Sequence, residues 1–312
     1  MAALDPSQSF QIPNASPLHP IARFDERHLQ RAGLINFRDT CCHLCIVLCL
    51  HRMGLIKFFR DDLIAAAGNV FDMPALVLSR MLRALPSRRP FPVQNYLTAW
   101  NNEGRQPVLQ SYDDLMIVDR ILSQLPLAAA GNNVPVFTRF LASFVCHYCG
   151  LIDQSCDRWD ERMFLTVPTL HLNPGSRPST VEDLLNMMLQ QRMRITCPNV
   201  QCRGQIDATW RTVPGAFTVL YIDRDNGRGG IVNTRLLPRP QHSAPHDALR
   251  ELVSIVSRSG AGLNRGHFVS YHQAGGRWYF NDDDHTHYEC NFQPFNRPQG
   301  NESVSLVCYH NM

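Results

Sequence analysis

Four cysteines fall within eighteen residues in the stretch GLINFRDTCCHLCIVLCL (33–50). They are Cys41, Cys42, Cys45 and Cys49. A cysteine at the start of a helix is favoured as a nucleophile, because free backbone N–H groups and the positive end of the helix dipole stabilise its thiolate. Cys41 lies where a loop gives way to a helical pattern, and the other three lie further inside it. We therefore expect Cys41 to react and the other three to pack as buried residues.

A nucleophilic cysteine needs a general base, and the segment GHFVSYHQAGGRWYFNDDD (266–284) supplies a candidate. His267 follows a glycine and opens a predicted strand, which a turn at Gly275-Gly276 joins to a second strand. An antiparallel hairpin brings the end of its second strand back beside the start of its first. We therefore expect Asn281 or Asp282 next to His267, where either could hold the imidazole in the tautomer that accepts the thiol proton.

Two further pairs of cysteines have the spacing of zinc ligands. The pairs are Cys146 and Cys149 in VCHYCG, and Cys197 and Cys202 in CPNVQC. Four thiolates are the number that a tetrahedral structural zinc requires, and turn residues flank the second pair. Such a site has no open coordination position, so it would tie a long two-stranded extension together rather than catalyse. The alternative is four unrelated cysteines that behave as small apolar residues.

The elements that must position these residues change in character along the chain. Helical periodicity predicts helices at 40–53 (ended by Gly54), 73–85, 113–125 and, later, 179–191, which opens on a Ser/Thr cap. After Pro126, short β-branched and aromatic runs predict strands within 137–150, 163–172, 215–223, 251–259, 267–272, 277–281 and 303–310. A helical front half followed by a β-rich back half predicts an α+β fold.

Composition excludes several classes of protein. The 312 residues are 44% hydrophobic and 18% charged, as in a globular protein, and residues 1–27 are expected to form a flexible lead-in. The net charge of +3 is too weak to favour nucleic-acid or membrane partners. We see no secretory signal and no apolar run of membrane-spanning length. Eleven clustered cysteines without such a signal favour reduced thiols, and hence the cytoplasm, the nucleus or both.

The motifs together resemble the ubiquitin-specific protease family, papain-like cysteine hydrolases that remove ubiquitin. GLINFRDTCC is similar to the family's cysteine box, roughly G-L-x-N-x-G-N-T-C-Y. The family's histidine box combines L-x-A-V-x-x-H-x-G, G-H-Y-x-x-Y and W-Y-x-F-[ND]-D, which LVSIVSRSG, GHFVSY and RWYFNDDD resemble. Two zinc-binding cysteine pairs and a strand similar to VPGAFTVLYID lie between the boxes, and SVSLVCYH resembles the last strand. The likeness covers about residues 30–312.

The resemblance implies a papain-like catalytic domain over residues 28–312. The implied parts are a helical thumb (about 28–130), zinc-tied β fingers (about 140–212) and a β palm (about 213–312). It also implies structural Zn²⁺ on the four paired cysteines, Cys146, Cys149, Cys197 and Cys202.

The resemblance further implies a role for each reacting residue. Cys41 would be the nucleophile and His267 the base, with Asp282 preferred over Asn281 as the third member. Asn36 matches the family's oxyanion-stabilising side chain. The implied activity is hydrolysis of the isopeptide or peptide bond after the C-terminal glycine of ubiquitin, so ubiquitin or ubiquitinated proteins are the expected partners. No oligomeric state is predicted.

The cysteine box departs from the family pattern in ways that leave alternatives open. Arg38-Asp39 replaces Gly-Asn, Cys42 replaces Tyr, and Leu44 and Leu48 replace Asn and Gln. One alternative is therefore a weak or inactive pseudoenzyme that binds ubiquitin, and another is a hydrolase of a ubiquitin-like modifier. The near-neutral charge argues against a third, a zinc-dependent nucleic-acid binder.

Overall fold

The structure, a computed structural model, is described for part of the chain. The described residues are 41–60, 62, 118, 121–122, 134–146, 148–150, 165–168, 180–183, 194–196, 201–202, 204–223, 241–242, 250–262, 265–274, 276–282, 285–289 and 303–311. Within these ranges, no helix combines the length and the apolar character needed to cross a membrane.

Helix α1 (Cys41–Arg52) begins at the first described residue and carries the cysteine cluster. All twelve of its residues are buried, including the polar ones, so the helix is enclosed by the protein on every side. It ends as predicted at Gly54, whose φ of 72° is the left-handed conformation that glycine adopts without steric cost. A 3₁₀ turn (Leu55–Phe58) follows.

The described residues contain eleven strands in two sheets. They are β1 (Arg139–Cys146), β2 (Leu165–Pro168), β3 (Arg194–Thr196), β4 (Gln205–Val213), β5 (Phe217–Asp223), β6 (Gln241–His242), β7 (Arg250–Gly262), β8 (Arg265–Ala274), β9 (Arg277–Asp282), β10 (His285–Glu289) and β11 (Ser303–Asn311). The small sheet has the order β1-β4-β3. The large sheet has the order β10-β9-β8-β7-β11-β5-β2, with β6 paired to β7. Its pairs are antiparallel except β2–β5.

The central strands of the large sheet, β5, β7, β8 and β11, are buried on both faces, and each face has its own hydrophobic cluster. On one face α1 packs against β7 and β8, with Val256, Phe268 and Leu306 beneath it. The opposite face carries the alternate residues of the same strands, such as Ile255 and Val307. Because successive side chains of a strand point to opposite faces, a strand buried on both sides reads as a nearly continuous apolar run.

The two sheets meet where β1 and β5 begin. Phe137 forms a parallel bridge with Phe217, and Thr138 N donates to the carbonyl of Phe217 at 2.7 Å. Gly215 has no side chain at this crossing, and a Cβ there would lie 2.2 Å from the carbonyl carbon of Phe137. Close packing of backbone on backbone therefore joins the small sheet to the large one.

Most predicted elements that fall on described residues are present. Val118, Ile121 and Leu122 are helical within the predicted helix 113–125, and residues 181–183 are helical within 179–191. Thr180 Oγ1 accepts a hydrogen bond from Asp183 N at 3.1 Å, as expected of the predicted cap. Each predicted strand region contains an observed strand. The predicted helix 73–85 lies outside the described residues. Sequence reasoning missed β3, β4, β6 and β10.

Candidate active site

Cys41 lies at the beginning of the described helix α1, where the helix meets the sheet. The helix that carries it is buried at every residue and packs against β7 and β8, which fixes its position. The Cys41 side chain is itself buried, at 6% exposure. A thiol at the start of a helix that packs on a sheet can lie within reach of a general base on a neighbouring strand. Nucleophilic catalysis by cysteine requires such a base.

His267, on β8, contacts both Cys41 and Asp282. Its Nε2 donates to Asp282 Oδ1 at 2.5 Å, and the ring lies close enough to the Cys41 thiol for that group to raise its pKa. Since Nε2 faces the carboxylate, Nδ1 is the ring nitrogen left for the sulfur. The Cys41 thiol, and then the bond and charge of Asp282, raise the pKa of His267 to about 9, against the opposing effect of burial. With a pKa of about 9, the imidazole is protonated at neutral pH.

Strand register explains why Asp282, and not Asn281, reaches His267. In the β8–β9 pair, Asn281 lies opposite Ser270, which places Asp282 beside Val269. Residues at alternate positions share a face, so Asp282 lies on the His267 face and one step along the diagonal from it. Asn281 has the opposite parity and is buried, at 1% exposure. The predicted hairpin is thus observed, and its geometry brings His267 and Asp282 together.

The remaining cysteines of α1 are buried, as expected. Cys49 is part of a polar contact beneath the helix, because Ser254 Oγ donates to its Sγ at 2.9 Å. Ser254 Oγ is also 2.7 Å from His272 Nδ1, and His272 Nε2 is 2.9 Å from Ser270 Oγ. Burial, and then the charges of Arg52 and His51, lower the pKa of His272 well below its ordinary value. This histidine is therefore neutral and structural.

Sequence reasoning missed this buried chain of contacts. Its signal was the alternation in HFVSYH, where Ser270 and His272 share one buried face of the strand with Phe268. Asn36, the predicted oxyanion side chain, lies outside the described residues, and its role stays a prediction.

Three of the four predicted zinc ligands lie together at one end of the small sheet. The sulfur atoms of Cys146, Cys149 and Cys202 are all within 4.8 Å of one another, and those of Cys146 and Cys202 are 3.6 Å apart. Three convergent thiols suit a soft ion such as zinc, so the residues present fit the metal. Cys197 lies outside the described residues, so its participation stays a prediction. Thr196, which precedes it, pairs with Gln205 at the same end of the sheet.

The loop around Cys146 is already shaped to hold a thiolate. Gly150 has a φ of 65°, and its N–H closes the turn onto the Cys146 carbonyl at 2.9 Å. Hydrogen bonds, first from the Cys149 backbone N–H and then from that of Tyr148 and from the neighbouring thiols, lower the pKa of Cys146 to about 6 despite burial. A thiolate stabilised in this way is the form that binds a metal.

Comparison with known proteins gives a fold and no sequence family. The chain matches no protein-family model and no curated protein sequence. It is similar in structure to a chain of the SAGA DUB module Ubp8/Sgf11/Sus1/Sgf73 bound to monoubiquitin, with a TM-score of 0.63, 17% identity, 93% of this chain covered and 71% of that one. The same module bound to ubiquitin aldehyde gives a TM-score of 0.62, 16% identity and coverage of 91% and 70%.

A third solved structure, the yeast SAGA DUB module with a mutant Sgf73, gives a TM-score of 0.62, 16% identity and coverage of 91% of this chain and 69% of that one. The neighbours are structures of a deubiquitinating module that contains Ubp8. At this level of identity the likeness establishes the shared fold alone.

Proposed function

We propose that this protein is a thiol-dependent deubiquitinase, which hydrolyses the isopeptide or peptide bond after the C-terminal glycine of ubiquitin. The observation that carries the proposal is the contact of His267 with both Cys41 and Asp282. A nucleophile, a base and an orienting carboxylate in this order form the set that papain-like hydrolysis requires. The choice of ubiquitin rests on the fold shared with a module that has been solved with monoubiquitin and with ubiquitin aldehyde.

In the first half of the reaction, the Cys41 thiolate attacks the carbonyl carbon of the terminal glycine. The carbonyl π electrons move to oxygen, and the backbone N–H of Cys41 and the Asn36 amide are the proposed donors to that oxyanion. The imidazolium of His267 then gives its proton to the leaving amine as the carbon–nitrogen bond breaks. A thioester between Cys41 and the glycine remains, and the released amine is a lysine side chain or an α-amino group.

In the second half, the now neutral His267 removes a proton from water as the water oxygen attacks the thioester. The carbon–sulfur bond breaks, the glycine leaves as a carboxylic acid that gives its proton to the solvent, and the Cys41 thiolate and the His267 imidazolium are restored. Asp282 holds the ring in the tautomer and orientation that both proton transfers need.

In this proposal the described sheets correspond to two of the expected parts of the domain. The small sheet would form the fingers and the large sheet the palm, with α1 as part of the thumb. Strand β2 pairs with β5 in the large sheet although its residues fall within the expected fingers range of 140–212. The exact domain boundaries, like a location in the cytoplasm or nucleus, remain predictions.

A structural zinc completes the proposed finger region. Cys146, Cys149 and Cys202 would hold it, with Cys197 as the proposed fourth ligand. The ion would fix the turn after β1 to the turn before β4, which the β1–β4 pairing already brings side by side. Its contribution would be to folding and to the shape of the extension.

The proposal is tested with ubiquitin whose C-terminus carries a thiol-reactive warhead. Wild type, Cys41→Ala and Cys42→Ala are incubated with the probe, and adducts are detected by mass spectrometry. We expect an adduct in wild type and in Cys42→Ala, whose removed thiol is the adjacent buried one, and none in Cys41→Ala.

Two other results would redirect the proposal. If every variant binds ubiquitin but none forms an adduct, the chain is a ubiquitin-binding pseudoenzyme. If the wild type reacts with a probe built on a ubiquitin-like modifier and leaves the ubiquitin probe unmodified, the substrate is that modifier.

A further inference from the structure

The pairing of β7 with β8 becomes irregular next to His267. The regular ladder ends at the pair Ser259–His267, and the next pair is Gly262–Arg265. Gly266 therefore lies opposite a bulge of two residues in β7. Backbone hydrogen bonding alone holds a strand less firmly at such a point, because the ladder is locally disrupted.

A buried arginine lies across this irregular point. Arg258 is directly opposite Phe268 in the ladder, and its Cζ lies 5.3 Å from the centroid of the Phe268 ring. A Cβ built on Gly266 would lie 2.5 Å from Arg258 Nε and 3.2 Å from Nη2. The guanidinium thus occupies the space that a side chain at position 266 would fill. The Arg258 side chain is 6% exposed.

These contacts lie on the reverse side of the strand from the imidazole. Residues 258, 266 and 268 share one face of the sheet, while His267 has the opposite parity and faces Asp282. On the backbone between them, Ser259 Oγ donates to the His267 carbonyl at 3.4 Å. The segment that carries the base is therefore packed on its other face, which also faces α1, at the point where its ladder is interrupted.

We propose that Arg258 is a positioning residue for the base: by stacking on Phe268 and filling the space at Gly266, it fixes the strand segment that aims His267 at Cys41 and Asp282. This inference rests on the proposed hydrolase site. A planar guanidinium suits the task, because it can lie flat on an aromatic ring and against bare backbone at once, which a lysine ammonium does less well. The acting feature is shape and stacking, since the Arg258 side chain lies on the opposite face of the sheet from the His267 imidazole.

The test compares Arg258→Met, which keeps the aliphatic stem, with Arg258→Lys, which also keeps the charge. Steady-state kinetics use a fluorogenic amide of the ubiquitin C-terminus, and NMR titration follows the His267 imidazole, assigned by its loss in His267→Gln. We expect Arg258→Met to lower kcat about tenfold with KM within about twofold, since a small misplacement of a reacting group costs rate rather than affinity. The pKa of His267 should fall toward its ordinary value, because its partners are engaged less fully. Relative to Arg258→Met, Arg258→Lys should recover part of kcat and part of the raised pKa of His267.

Arg277→Met is the matched control. It removes an exposed arginine from β9, the strand that also carries Asp282, and both readouts should stay at wild-type values. Circular dichroism and thermal unfolding establish that each variant is folded. Arg258→Gln, which also removes the guanidinium, takes the place of Arg258→Met if the latter does not fold.

Wild-type kcat and an unchanged His267 titration in a folded variant without the guanidinium would overturn the inference. The NMR arm does not depend on turnover. If the wild type fails to hydrolyse ubiquitin substrates while the His267 titration still shifts in Arg258→Met, the proposed function fails and the positioning role stands.

Discussion

His267 and Asp282 lie on adjacent antiparallel strands, one diagonal step apart on the same sheet face, with Nε2 and Oδ1 2.5 Å from each other. Both side chains are about two-fifths exposed, whereas Asn281, one residue earlier, is buried on the other face. Because successive side chains of β9 point to opposite faces of the sheet, Asn281 and Asp282 can have different roles. One can orient the base, and the other contributes to the packing beneath α1.

This division predicts opposite phenotypes for two adjacent substitutions. Asp282→Asn should lower kcat on a ubiquitin substrate by about 10²- to 10⁴-fold, because an amide can hold the imidazole in the wrong tautomer and cannot stabilise the imidazolium. Asn281→Ala should lower the thermal midpoint and leave kcat within a few-fold of wild type. Kinetics and thermal unfolding of both variants check this. A larger loss of kcat in Asn281→Ala than in Asp282→Asn would contradict the assignment of Asp282.

The raised pKa of His267 predicts an alkaline limit to activity. Leaving-group protonation needs the imidazolium, which persists up to a pKa of about 9, so kcat should stay level through neutral pH and fall as the pH passes about 9. Asp282→Asn removes the carboxylate that favours the charged ring, so the alkaline fall in kcat should move to lower pH. The profile of kcat against pH in both proteins is the measurement. A wild-type limb near pH 6.5 would mean that the Cys41–His267–Asp282 contacts are absent during turnover.

The hairpin could be predicted from sequence because its signals are local. Gly275-Gly276 separates two β-branched and aromatic runs, and this alone brings the ends of the hairpin together. The choice between Asn281 and Asp282 depends on the register of the β8–β9 ladder. A turn that is one residue longer or shorter shifts this register by one residue and moves every side chain of the strand to the opposite face. The resemblance to the ubiquitin-specific proteases favoured Asp282, and the Ser270–Asn281 pair supplies the physical reason why Asp282 reaches His267.

Other features depend on contacts between distant segments and leave little trace in the sequence. The complete burial of α1 comes from the sheet and from segments far along the chain. Strand β4 reads QIDATWRTV, whose charged and polar residues obscure its β pattern. The stacking of Arg258 on Phe268 requires the β7–β8 register, and nothing in the local sequence distinguishes this arginine from a surface one.

The cysteine cluster of the small sheet predicts zinc in the purified protein. Metal analysis should find about one equivalent of zinc per chain, lost in Cys146→Ser and in Cys202→Ser along with thermal stability, because such a metal contributes directly to folding. Cys45→Ala removes a buried helix thiol outside the cluster and should retain the metal. Wild-type zinc content in Cys146→Ser would exclude this cluster as the site.

Burial of neutral His272 predicts a loss of stability in mild acid. Its pKa is below its ordinary value in the folded protein, so between those two values the unfolded chain binds a proton that the folded one does not. The free energy of unfolding should therefore decrease as the pH falls below about 6.5, by up to about 1.4 kcal/mol per pH unit. Burial lowers the pKa of His310 as well, and that group adds a contribution of the same sign. Denaturant unfolding between pH 7.5 and 5.5 gives the slope.

His272→Gln removes the titrating group. The quantity to compare with wild type is the slope of the free energy of unfolding against pH, not the absolute stability of the variant. We expect a shallower dependence on pH than in wild type, with the share of His310 remaining. Equal slopes in the two proteins would show that folding does not lower the pKa of His272.

The hydrogen bonds of Asn311 predict that this side chain contributes to stability at the junction of the two sheets. Its Nδ2 donates to Thr138 Oγ1 at 3.0 Å and to the Gly215 carbonyl at 2.5 Å, and its Oδ1 accepts from Thr218 Oγ1 at 3.1 Å. Asn311→Ala deprives buried groups on three segments of a partner and should lower the free energy of unfolding by about 2–3 kcal/mol. The Thr138 hydroxyl contacts Gly215 N, Thr218 Oγ1 and Asn311 Nδ2 in the same junction, so Thr138→Val should have a cost of similar size. Denaturant titration measures both costs, and a change of less than about 0.5 kcal/mol in Asn311→Ala would show that the junction is satisfied without it.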